Sequence, residues 1–154
     1  MTRVYSVTNA TTVSDIIDIV EIRNGASHIS IIHSFLFGQS SDAGDAESEQ
    51  LAINIFRPTA AGSSGSAAHN IISHKSGDVA ARSEIASYSG GGATVAGSPV
   101  LIDSFNVMAG AFHKFTPEER ITVAPNSSLV FALATVPNDV ISTNFTLTWE
   151  EIGG

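Results

Sequence analysis

Residues 121–149 read ITVAPNSSLVFALATVPNDVISTNFTLTW, with a large apolar side chain at every second position of each run. The series is Ile121 and Val123, then Leu129, Phe131 and Leu133, and finally Phe145, Leu147 and Trp149. A period of two places all of these on one face of an extended strand, because successive side chains in a strand point to opposite sides. The intervening residues are mostly Thr, Ala and Val, so the other face is short and mild rather than charged. The PNSS turn separates the first two runs. This part of the chain therefore predicts a stack of antiparallel strands in a sandwich or barrel.

The same period recurs upstream. Val4, Tyr5 and Val7 predict a short first strand, preceded and partly formed by an N-terminal arm of about residues 1–10. Ile16 to Ile22 predicts a second strand in which Asp18 and Glu21 interrupt the apolar pattern. Asn24-Gly25 follows, and both residues tolerate positive φ, so this strand and the next are expected to pair as a hairpin. Ile29, Ile31, His33, Phe35 and Phe37 then occupy one face of a third strand whose other face is also largely apolar, which suits an interior position. Leu51, Ile53 and Ile55 form a fourth strand that Pro58 closes. Residues 59–99 are dominated by small side chains and are expected to hold a functional loop or short irregular strands, or to form an arm that orders only against a partner, the favoured reading. The pattern resumes at Val100, Ile102, Phe105 and Val107, then Phe112 and Phe115. Thr116-Pro117-Glu118-Glu119 carries cap chemistry for a single helical turn. No stretch sustains a period of 3.6. The expectation is an all-β chain: one antiparallel β-sandwich of about eight strands, with jelly-roll or related Greek-key topology. Its core would contain Ile31, Phe35, Ile53, Leu129, Phe131, Leu133, Phe145, Leu147 and Trp149.

Composition narrows the function classes. At 154 residues the chain suits one domain with a substantial core. Charged residues are 14% of it, against roughly 25% in typical soluble domains. A surface so poor in charge loses little hydration when it meets a neighbour, which points to assembly. Seven basic residues against fifteen acidic ones give a net charge of −8. That balance argues against nucleic acid and against anionic membranes as partners. With no cysteine, neither disulfides nor thiolate metal sites are available. The N-terminal stretch has no apolar signal core, so synthesis and retention in a cytoplasm is the expectation.

Candidate chemistry is sparse, and no catalytic or cofactor-binding residues are expected. Asp42, Asp45 and Glu47, with Glu49 beside them, are the best candidate for a cation such as calcium, which needs several converging oxygens. Their spacing matches no EF-hand loop, and four like charges on a short linker more often form a solvated, self-repelling loop. His28, His33, His69, His74 and His113 show no zinc-ligand spacing. There is no GxSxG elbow, and Gly90-Gly91-Gly92 lacks the lysine and the strand–helix context of a phosphate loop. Trp149 continues the alternation of Phe145 and Leu147, so it reads as core rather than as a sugar platform.

The opening RVYSV, the linker GQSSDAGDAESEQL, the segment TPEERITVAPNSSLVFAL and the ending FTLTWEEIGG together resemble a group of small tailed-bacteriophage virion proteins. The resemblance spans nearly the whole chain and is weakest across residues 59–99. It implies a virion component with a jelly-roll sandwich and no enzymatic activity. Within that class it favours a capsid decoration, or cement, protein that binds the outer shell and clamps major capsid subunits, as a trimer of copies of itself. The arm and the long loop would then reach neighbouring subunits. A tail, neck or fibre-head component, which could touch a host glycan or receptor, is the alternative.

Overall fold

The computed structural model describes residues 2–40, 49–59, 69–87 and 98–153. These residues form strands and turns without a helix. Eight principal strands are β1 (Arg3–Val13), β2 (Ile17–Arg23), β3 (Ile29–Gln39), β4 (Gln50–Phe56), β7 (Pro99–Asn106), β8 (Ala111–Lys114), β10 (Ser128–Leu133) and β11 (Ile141–Ile152). Three short ones are β5 (Ile71–Ser73), β6 (Glu84–Ala86) and β9 (Thr122–Val123).

All pairings are antiparallel, and the strands divide into two sheets. Sheet A has the order β5-β1-β11-β3-β8, with β9 also on β3. Sheet B has the order β6-β2-β10-β4-β7. Without the short strands these orders are β1-β11-β3-β8 and β2-β10-β4-β7, the arrangement of a jelly roll. The chain changes sheet after each of its first three principal strands, so the sheets face each other and share one core.

That core is built by the alternation seen in the sequence. Leu129, Phe131 and Leu133 of sheet B and Phe145, Leu147 and Trp149 of sheet A are each buried. Phe35 packs on Phe131 across the sandwich with ring centroids 4.9 Å apart, and Ile53 is buried beside them. Tyr5 and Trp149 lie 6.0 Å apart, and the Tyr5 hydroxyl donates to the Val79 carbonyl at 3.0 Å.

Four expectations need correction. Ile31 is only half-buried, whereas Ile32 is fully buried. The cause is a register shift: Thr148 faces Ser34 but Trp149 faces Ile32, so His33 is an extra residue that reverses the inward parity of β3. Strands β2 and β3 do not form a hairpin; Asn24-Gly25 carries the chain from sheet B to sheet A. Neither residue has the positive φ that a tight hairpin turn needs, and Asn24 is instead buried, donating its side-chain amide to the Val123 carbonyl at 2.8 Å. The expected N-terminal arm is a full strand, with β1 registered against β11 from Arg3↔Glu151 to Val13↔Ile141. Within residues 59–99, residues 69–87 do not wait on a partner: they carry two short strands that fold back on their own domain, β5 on β1 and β6 on β2. The Thr116 segment forms one hydrogen-bonded turn, with Glu119 N–H donating to the Thr116 carbonyl at 3.0 Å.

Two substitutions test this packing. Trp149→Ala is expected to cost about 3–5 kcal/mol in equilibrium urea unfolding, because a fully enclosed indole leaves a cavity. Gly110 has φ +71, and an added Cβ would lie 2.6 Å from the Phe37 carbonyl oxygen. Gly110→Ala should therefore cost at least about 1–2 kcal/mol in the same assay from left-handed backbone strain alone.

Candidate functional site

The two sides of the sandwich are finished differently. Along one side, residues 69–87 run from the edge of sheet A to the edge of sheet B, and Ile85 and Ala86 are buried there. On the other side the edge strands are β7 and β8. Asp103 of β7 and His113 of β8 bridge the gap between the sheets at 2.7 Å, and His113 stacks on Phe115. A cleft of about 450 Å³ opens beside this bridge, walled by Val100, Leu101, Phe115 and Ile121.

The outer faces differ too. On sheet B, Asp18, Glu21, Phe56, Val130 and Ala132 are all buried, and Glu21 accepts from Arg23 at 2.7 Å. On sheet A the outward residues form cross-strand rows. One row is Ile72, Ser6, Thr148, Ser34 and Lys114. The next is Thr8, Thr146, Leu36 and Phe112, with the Thr8 and Thr146 hydroxyls 3.2 Å apart. A third is Val4, Glu150 and Ile31, and His33 lies 3.3 Å from Glu150. Short hydroxyl side chains fill the middle, while Ile72, Leu36 and Phe112 are exposed at 58%, 45% and 64%. Lys114 and Glu150 are the charged side chains in these rows. Such a face is poor in charge and inexpensive to dehydrate, with Leu36 and Phe112 adjacent on neighbouring strands and Ile72 at the opposite edge.

A Ser-His-acid cluster does occur, buried at one end of the core. The Ser83 hydroxyl donates to Glu151 Oε1 at 2.7 Å, and His28 Nε2 lies 3.3 Å from Ser83 Oγ. With that hydroxyl proton held by Glu151, His28 donates to Ser83. A nucleophilic triad needs the reverse order, with histidine between the hydroxyl and the acid. His28 Nδ1 meets no partner among the described residues, and all three side chains are enclosed. The cluster is a structural clasp. Glu151 also accepts the backbone N–H groups of Arg82 at 3.1 Å and Ser83 at 2.9 Å, and Trp149 Nε1 at 3.4 Å. Burial by itself pushes the Glu151 carboxyl up, but these donors outweigh it and hold the group below its ordinary value of 4.5.

The remaining candidates are scattered. Asp42, Asp45 and Glu47 lie outside the described residues. Glu49 accepts the Asn138 N–H at 2.9 Å and braces a turn. His69 lies 2.6 Å from the Ser87 hydroxyl, and burial pushes its imidazole below 6.5. His74 is on the chain that leaves β5, its N–H donating to the Val4 carbonyl at 2.9 Å. Among the described residues, no group of three or more His, Asp or Glu side chains could hold a metal ion. Set against family models, curated proteins and solved structures, the chain finds no match.

The two shifted groups set a pH dependence. Both have folded values below their ordinary ones, so the unfolded chain binds protons more readily. Stability is therefore expected to be complete above pH 6.5 and to fall on acidification, first with His69 and again below 4.5 as Glu151 is protonated. Urea midpoints measured across this range should show both stages, and Glu151→Gln should flatten the lower one while lowering stability at pH 7.

Proposed function

We propose that this chain is a structural protein of a tailed-bacteriophage particle, a decoration protein that binds the outer surface of the shell and stabilises contacts between major capsid subunits. The observation that carries this reading is the outer face of sheet A. A row such as Thr8, Thr146, Leu36 and Phe112 offers a charge-poor surface ending in an exposed ring. The face would lie on the shell, and the β7/β8 side would meet a neighbouring copy in a trimer. Jelly-roll strand order and the likeness of RVYSV, TPEERITVAPNSSLVFAL and FTLTWEEIGG to phage virion proteins support the same reading. Individually weak contacts suffice in this role, because a fixed lattice makes them multivalent. A glycan-binding fibre head would be expected to present several aromatic rings for stacking. Among the described Phe, Tyr and Trp residues the one exposed ring is Phe112.

The test is attachment of purified protein to shells that lack it, followed by co-sedimentation. Leu36→Asp and Phe112→Asp should each weaken attachment at least about tenfold, or about 1.4 kcal/mol per site. Their unfolding free energies should stay within about 0.5 kcal/mol of the parent, since both side chains already face solvent. Attachment unchanged by either variant would remove this face from the proposal. Failure of the parent protein to attach would remove the function.

A further inference from the structure

We propose that the cleft at the Arg23 end of sheet B binds a small oxyanion, a phosphate or carboxylate group, between Arg57 and Arg82. The chain has seven basic residues, and three of them, Arg23, Arg57 and Arg82, line this one cleft of about 520 Å³.

Topology brings them together. The neighbours β6, β2, β10 and β4 all have ends here: Arg23 faces Glu84 on one side and Ser128 on the other, and Arg57 follows directly after β4. Neighbouring strands lie about 4.8 Å apart, so guanidinium groups from these ends can converge on one ligand. The floor is braced, with Asn24 N–H donating to the Ser127 carbonyl at 2.9 Å and Asn126 N–H to the Gly25 carbonyl at 3.1 Å. The Arg82 backbone is pinned by Glu151 while its side chain lines the cleft. Arg23 is oriented by Glu21, which leaves Arg57 and Arg82 as the exposed cations.

Electrostatics gives the cleft its selectivity. The protein as a whole carries a net charge of −8, and this end gathers cations against that background. Gln39 and Gln50, which flank the acid-rich stretch, lie at the opposite end of the sandwich. The cleft is lined by three arginines and one acid, Glu84, so cations predominate in a concave setting that focuses their field, and the planar fork of arginine matches the oxygens of phosphate and carboxylate. Glu84 is the opposing group in the wall and tempers the affinity.

Titration calorimetry of the full chain with inorganic phosphate and, separately, with citrate, in chloride of matched ionic strength, tests this. Saturable binding of one or both is expected, and the stronger of the two shows whether a tetrahedral or a planar oxyanion is preferred. Arg57→Gln combined with Arg82→Gln should weaken binding at least about tenfold. Glu84→Gln should tighten it severalfold. Thermal melting verifies that both variants remain folded, and either alone leaves a usable result because the affinity moves in opposite directions. Binding of neither anion above the chloride control, or binding indifferent to all three substitutions, would overturn the proposal.

Discussion

The buried carboxylate of Glu151, near the end of the last strand, is the constraint on which much of this structure depends. Strand β11 lies inside sheet A, registered to β1 on one side and β3 on the other. Its Glu151 reaches across to Ser83 and Arg82, which carry the chain into β6 at the edge of sheet B. One side chain thus ties the closing strand of one sheet to the side wall that leads to the other. Taking a carboxylate out of water is costly unless its oxygens are fully hydrogen-bonded, and here hydroxyl, indole and backbone donors meet that need.

This clasp bears on function through what it leaves open. It holds residues 69–87 along the β1/β2 side, so that side is occupied by the chain's own strands. Among the described residues no further strand pairs with the outer edges of β7 and β8, and Leu36, Ile72 and Phe112 are exposed on the outer face of sheet A. A charge-poor face and a pair of open edges suit a protein whose work is to lie against neighbours. The arginine cleft sits at the end of the sandwich, away from that face, so the proposed docking and the proposed anion binding would draw on different residues.

Much of the architecture was legible in period-two alternation. Phe35, Ile53, Leu129, Phe131, Leu133, Phe145, Leu147 and Trp149 all lie in the core, because a strand with one buried face writes that face into every second position. The misreading at Ile31 has a local cause. A single extra residue at His33 reverses parity, and nothing in the residue types around Ser30 to Ser34 announces a bulge. Asn24-Gly25 was misread for a different reason. Its turn propensity is real, but the Asn24 side chain gains more from buried bonds to Val123 and Ser30 than from a hairpin turn. The contact face was less legible still. Phe112 has the apolar character of a core residue, and only its exposure in the folded sheet reveals that it points outward. The Glu151 clasp and the arginine cleft join residues from separate strands, so no contiguous motif could display them.

The claim that the chain coats a phage shell is tested most directly by its copy number per particle, measured by quantitative mass spectrometry of purified virions against the major capsid protein. The account predicts a copy number in simple integer proportion to the shell subunit, as lattice symmetry requires. A number far below that of the shell subunit, or absence from the particle, would contradict it.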